Sequence, residues 1–159
     1  MTLDDIFKHG QEAAKHLFEV QGAIHPMWLA ETESGQIFPI CMDMPDRDKR
    51  DILSEALRAT FRYHKVVRYV NFVEAWCVAM PAEAKSDLME NGYEGSLQDH
   101  PDRREAVMVQ AEDINGEERT GQFFILRPES GKAKLSPFKV FDNAKHSEGR
   151  FTHLLNTED

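Results

Sequence analysis

The run Val66-Val67-Arg68-Tyr69-Val70-Asn71-Phe72-Val73-Glu74-Ala75-Trp76-Cys77-Val78-Ala79-Met80 constrains this fold more than any other segment. It is rich in β-branched and aromatic residues, and apolar side chains occupy both parities. Successive side chains of a strand point to opposite faces. A strand of this composition therefore needs cover on both sides. The pattern predicts a central strand over 66–80, and the rest of the chain must supply two apolar surfaces to enclose it.

Two segments offer such surfaces. Over residues 2–21, Leu3, Ile6, Phe7, Gly10, Ala13, Ala14, Leu17, Phe18 and Val20 recur at helical spacing on one side, with charged residues opposite. Thr2 with Asp5 three places on makes a capping box with Asp in place of Glu, and Gly22 is the stop signal. Over residues 46–64, Ile52, Leu53, Ala56, Leu57, Thr60, Phe61 and His64 share a second helical face. Arg47, Asp51, Glu55, Arg58 and Arg62 point the other way, and Pro45 suits a first turn.

Strands account for most of the remainder. Met27–Ala30 and Ile37–Cys41 read as a hairpin turned at Glu33-Ser34-Gly35, with Pro39 placing the second strand at an edge. Glu105–Ala111 and Gln122–Arg127 form another hairpin, around Asn115-Gly116. A strand is expected near Leu135–Phe141 and a short one at Phe151–Leu155. Residues 81–102, broken by Pro81, Gly92, Gly95 and Pro101, read as a long loop with one short helix near Ala82–Glu90. The tail 156–159 is expected to fray.

The predicted fold is therefore α+β: an antiparallel sheet of five to seven strands with two main helices, in the order α-β-β-α-β-loop-β-β-β. This order resembles the profilin-like and roadblock-like α/β sandwiches, a likeness of fold that does not fix function. The 159 residues, 41% of them hydrophobic, suit one domain over 1–159 with a core of its own.

The net charge of −9 argues against a nucleic-acid binder, which needs a concentrated basic face. The one basic run, Arg58, Arg62, Lys65 and Arg68, is sparse and crosses a helix end. Cys41 and Cys77 form no zinc pattern and no C-x-x-C, and read as two buried reduced thiols. The start, Met1-Thr2-Leu3-Asp4-Asp5, lacks a secretory pattern, and no stretch is apolar enough to span a membrane. The cytosol is the expected location.

Glu74 carries the most chemical information. It lies mid-strand between Phe72 and Trp76 on one face, where an unpaired carboxylate is costly. Two readings stay open. It meets an arginine, with Arg68, Arg103 and Arg104 as candidates, or it lines a pocket as ligand anchor or general base. The second constellation is Asp99-His100-Pro101-Asp102-Arg103-Arg104-Glu105. Its acids and imidazole suit proton transfer and its arginines suit a carboxylate or phosphate. A charged loop that pairs with itself is the plainer alternative. His9, Glu12 and His16 lie at i, i+3 and i+7 of the first helix, but two turns of about 10 Å keep the histidines from sharing one ion. No phosphate-binding, hydrolase or zinc motif occurs, so neither cofactor nor metal is expected.

The stretch Tyr69–Glu112, with Val73-Glu74-Ala75-Trp76, a polar loop and His100-Pro101-Asp102-Arg103-Arg104-Glu105-Ala106-Val107, resembles small uncharacterised bacterial and phage-type proteins. It covers about a quarter of the chain. The resemblance implies that Glu74-Ala75-Trp76 and His100–Glu105 belong to one site, and it implies no activity. The leading expectation is a non-catalytic binding or accessory protein that meets a protein partner or itself at the Pro39 edge. The alternatives are a small hydrolase or isomerase using Glu74 with His100 or Asp102, and a ligand-sensing sandwich with a small-molecule pocket between helix and sheet.

Overall fold

A computed structural model describes residues 1–43, 46–77, 103–141 and 153–155. Helix α1 spans Leu3–Gln21. Its first turn closes as a capping box: Asp5 N–H donates to Thr2 Oγ1 (3.1 Å) and Thr2 N–H to Asp5 Oδ2 (2.8 Å). Those bonds hold the Asp5 carboxyl below its ordinary range. Gly22 ends the helix at φ 73, a left-handed conformation that glycine adopts without steric cost.

Strands β1 (Met27–Thr32) and β2 (Ile37–Cys41) form the first hairpin. Helix α2 (Arg50–Tyr63) follows a 3-10 turn at Arg47–Lys49. Strands β3 (Val66–Cys77), β4 (Arg104–Asp113) and β5 (Glu118–Leu126) come next. Two short strands finish the sheet, β6 (Lys134–Leu135) and β7 (Lys139–Val140). The seven-stranded antiparallel sheet runs β2-β1-β3-β4-β5-β6, with β7 also on β5.

The two helices lie on opposite faces of this sheet. Val70 and Phe72 of β3 join Leu29, Val107, Val109, Phe123 and the apolar side of α1 in one core. Tyr69 joins Trp28, Ala30, Leu57, Phe61, Leu154 and Leu155 in the other. Central β3 is thus enclosed from both sides, as its composition demands, and the α+β prediction matches the structure. At Gly10, α1 approaches β3 so closely that a Cβ there would lie 2.4 Å from Val70 Cγ2.

Several local expectations change. Ile52 is 71% exposed, and Ala56 and His64 also face solvent. The buried side of α2 is Ser54, Leu57 and Phe61, rotated toward Arg58, which the spacing had turned outward. Arg58 Nη1 donates to the carbonyl of His153, a contact ninety-five residues away in the chain. Val20 on α1 is exposed as well. Cys41 is not buried, because it ends edge strand β2 on its outward side, while Cys77 is half-buried; both thiols are free. One strand near 135–141 becomes two. Pro137 has no N–H for the ladder, and the break turns the Phe138 ring against Phe7 and Phe123, 5.6 and 4.8 Å between centroids. Residues 153–155 form a turn instead of a strand, with His153 at φ 53. The expected loop 81–102 with its short helix, Pro45, Phe151 and the tail 156–159 lie outside the described residues.

No helix among the described residues is long and apolar enough to cross a membrane. The basic run disperses. Arg68 Nη1 pairs with Glu31 at 2.7 Å, Lys65 with Glu33 at 3.8 Å, and Arg58 turns inward.

Candidate functional site

The sheet end where β3 stops and β4 begins carries an open cleft of about 800 Å³. Among the described residues, four cations line it, Arg103, Arg104, Arg127 and Lys134, beside the carboxylate of Glu105. The register explains how. Trp76 pairs with Glu105 across β3 and β4, and Cys77 pairs with Arg104. Strand alternation then sends Trp76, Glu105 and Arg127 to the α1 face and Arg104 to the other, so the cleft straddles the sheet end.

Each arginine is oriented by a neighbour. Arg103 lies 5.2 Å over the Trp76 ring and Arg104 3.6 Å over Phe124. Stacking on a ring fixes the plane of a guanidinium. Arg127 forms a two-pronged pair with Glu105, its Nη2 donating to Oε1 at 3.0 Å and its Nε to Oε2. Those bonds draw the Glu105 carboxyl below its usual range and push the Arg127 guanidinium above its own.

Of the expected site residues, Trp76, Arg103 and Arg104 come together at this cleft. Glu74 does not line it, and none of the three candidate arginines is its partner. Its Oε1 accepts the backbone N–H of Ile24 at 3.0 Å, which ties the connection after α1 to β3. An amide in place of an arginine is the reason a half-buried carboxylate is tolerated here. Its charge also reaches Arg127. His100 and Asp102, on which the acid–base reading depends, lie outside the described residues. His9, Glu12 and His16 are exposed on α1, and His25 Nδ1 stands 3.4 Å from Asp43 on the surface.

A second polar cluster, missed from sequence, occupies the opposite end of the same strands. Tyr69, Glu112 and Glu118 stand side by side across β3, β4 and β5 on the α2 face. Glu112 is 2% exposed. Its Oε2 accepts the Tyr69 hydroxyl and the backbone N–H of His153, both at 2.8 Å. The His153 Nδ1 lies 3.6 Å from Glu118 Oε1, on a carboxylate whose side chain is 3% exposed. Burial pushes the Glu112 carboxyl upward, and burial together with Glu112 lifts the Tyr69 phenol well above its ordinary value. The signal was present in the chain. Asp113 Oδ1 accepts the N–H groups of Asn115 and Glu117, and Gly116 takes φ 83, so the Asn115-Gly116 turn sets Glu112 directly opposite Glu118. Tyr69 and His153 arrive from far along the chain and carry no local signature.

A third feature lies under the end of α2. Phe61, Val66, Val67, Leu154 and Leu155 wall a cavity of about 340 Å³, with Arg62 and Lys65 also lining it. No family model, no curated protein and no solved structure matches the chain.

Proposed function

We propose that this protein is a non-catalytic binding protein that receives an acidic segment of a protein partner in the Trp76 cleft. The carrying observation is the concentration of Arg103, Arg104, Arg127 and Lys134 around two aromatic rings in a chain of net charge −9. On an acidic protein, a local cationic cleft selects an anionic ligand and steers it in. Stacked arginines recognise carboxylates through paired N–H donors. The cleft is open, which fits an extended chain better than an enclosed small substrate. The resemblance of Tyr69–Glu112 to uncharacterised bacterial and phage-type proteins implies that Glu74-Ala75-Trp76 and His100–Glu105 belong to one site, and of these Trp76 and Arg103–Glu105 line the cleft.

Trp76 reports on its own cleft. It is 38% exposed, whereas Trp28 is fully buried. Titration with a glutamate-rich peptide is expected to change tryptophan emission saturably, and added salt is expected to weaken the effect. An Arg103→Ala/Arg104→Ala double variant should bind at least about tenfold more weakly, the equivalent of ~1.4 kcal/mol. A silent tryptophan, or an affinity unchanged in the double variant, would overturn the reading.

The 340 Å³ cavity under α2 favours a second reading, a ligand-sensing domain for a small apolar acid, with Arg62 meeting its carboxylate beside the Lys65–Glu33 pair that also lines the cavity. Saturation of that cavity by a medium-chain fatty acid, read from methyl shifts of Leu154 and Leu155, would support it. Unshifted methyls would exclude it.

A further inference from the structure

Two buried carboxylates sit directly opposite one another at Glu112 and Glu118. Like charges in that relation repel, and burial removes the water that would screen them. The surroundings hold these groups in place instead of separating them. Glu112 Oε2 is fixed by the Tyr69 hydroxyl and the His153 N–H. His153 is fixed from two directions, its N–H on Glu112 and its carbonyl on Arg58. The ring so positioned presents Nδ1 to Glu118.

We propose that Glu112, Glu118 and His153 form a site for a first-row divalent cation, of which Zn²⁺ is the best fit. One ion of charge +2 neutralises both carboxylates at once. A nitrogen with two oxygens suits Zn²⁺ or Mn²⁺, whereas Mg²⁺ and Ca²⁺ favour oxygen alone. At bond lengths of about 2.1 Å, neighbouring ligand atoms of one ion lie roughly 3.0–3.5 Å apart. The 3.6 Å between His153 Nδ1 and Glu118 Oε1 is close to that range. All three ligand atoms lie within 4.8 Å of one another, so binding draws the Glu112 carboxylate slightly inward. The Tyr69 hydroxyl on Glu112 is the kind of outer partner that orients a metal-bound carboxylate. The His153 side chain is 39% exposed and gives the ion a way in. The bound ion would fasten the turn at 153–155 to the sheet, far from the Trp76 cleft. This site was not foreseen in the sequence, where only His9, Glu12 and His16 stood at near-ligand spacing.

The test is calorimetric titration of the metal-stripped full chain with ZnCl₂, beside thermal melting. The expected result is one saturable site per chain and a rise in melting temperature that grows with Zn²⁺ concentration. His153→Ala and Glu118→Gln should each weaken binding about 100-fold, while His25→Ala, in its exposed pair with Asp43, should leave it unchanged. Absence of one-to-one binding, or binding that survives both site variants, overturns the proposal. So does a loss in His25→Ala equal to theirs, which would mark adventitious surface binding. If neither site variant folds, the ¹⁵N signal of His153 Nδ1 in the wild type decides. A large shift on adding Zn²⁺ supports the site, and an unmoved signal removes it.

Discussion

The Tyr69 hydroxyl donates a hydrogen bond to Glu112 across 2.8 Å, joining β3 to a carboxylate that is 2% exposed. Its neighbours are Glu118 across the hairpin and His153 above. Burial is the main cause that lifts the folded-state pKa of Glu112 above its ordinary 4.5. Folding therefore takes up protons at this group. The stability it contributes is complete below about pH 4.5 and is lost as pH rises through the lifted folded value. Glu112→Gln cannot titrate, so the wild type should lose stability relative to this variant as pH increases from 4.5 toward 8. Urea denaturation in chelator across that range measures it, and parallel profiles would refute the assignment. Tyr69→Phe leaves the buried oxygen one donor short and should cost about 1–3 kcal/mol.

The Arg127–Glu105 pair lies at the surface, where ion pairs contribute little. Arg127→Ala should therefore leave stability within about 1 kcal/mol of wild type. It should nevertheless weaken binding of the glutamate-rich peptide. A large drop in denaturation midpoint would mean that the arginine is structural.

Gly10 is where α1 meets β3. An added methyl would fall 2.4 Å from Val70 Cγ2 and 2.9 Å from Cγ1, closer than carbon atoms can stand. Gly10→Ala should destabilise by about 1–3 kcal/mol, despite the better helix propensity of alanine. Val70→Ala added to it should recover part of that loss. Chemical denaturation of the single and double variants tests both statements.

The two thiols should separate kinetically. Cys41 is exposed, while Cys77 is half-buried and burial pushes its pKa upward. Thiolate is the reactive form. A disulfide reagent at neutral pH should show one fast and one slow phase, and Cys41→Ser should abolish the fast one.

Much of the fold was legible because its strongest signals are local. The two-sided composition of 66–80, described as far as Cys77, the Thr2–Asp5 box and the Asn115-Gly116 turn each set their own element. The α2 face was not legible in the same way. Ile52 and Ala56 are as apolar as the spacing requires, yet the buried side is set by which residues meet Trp28 and Tyr69. Arg58 turns inward because a carbonyl ninety-five residues away receives it. At the cleft, Trp76, Arg103 and Arg104 were foreseen together because they flank one connection. Arg127 and Lys134 were not, since only the β4–β5 register brings Arg127 back to Glu105. Glu74 shows the limit of counting side chains alone, for its partner is the backbone of Ile24.

Strand β3 contributes Val70 and Phe72 to one core and Tyr69 to the other. Neither apolar layer has a wall of its own on that side, so neither can melt while the other persists. Tryptophan emission, far-ultraviolet dichroism and the slowest amide-exchange rates of β3 should all report a single transition with a common midpoint.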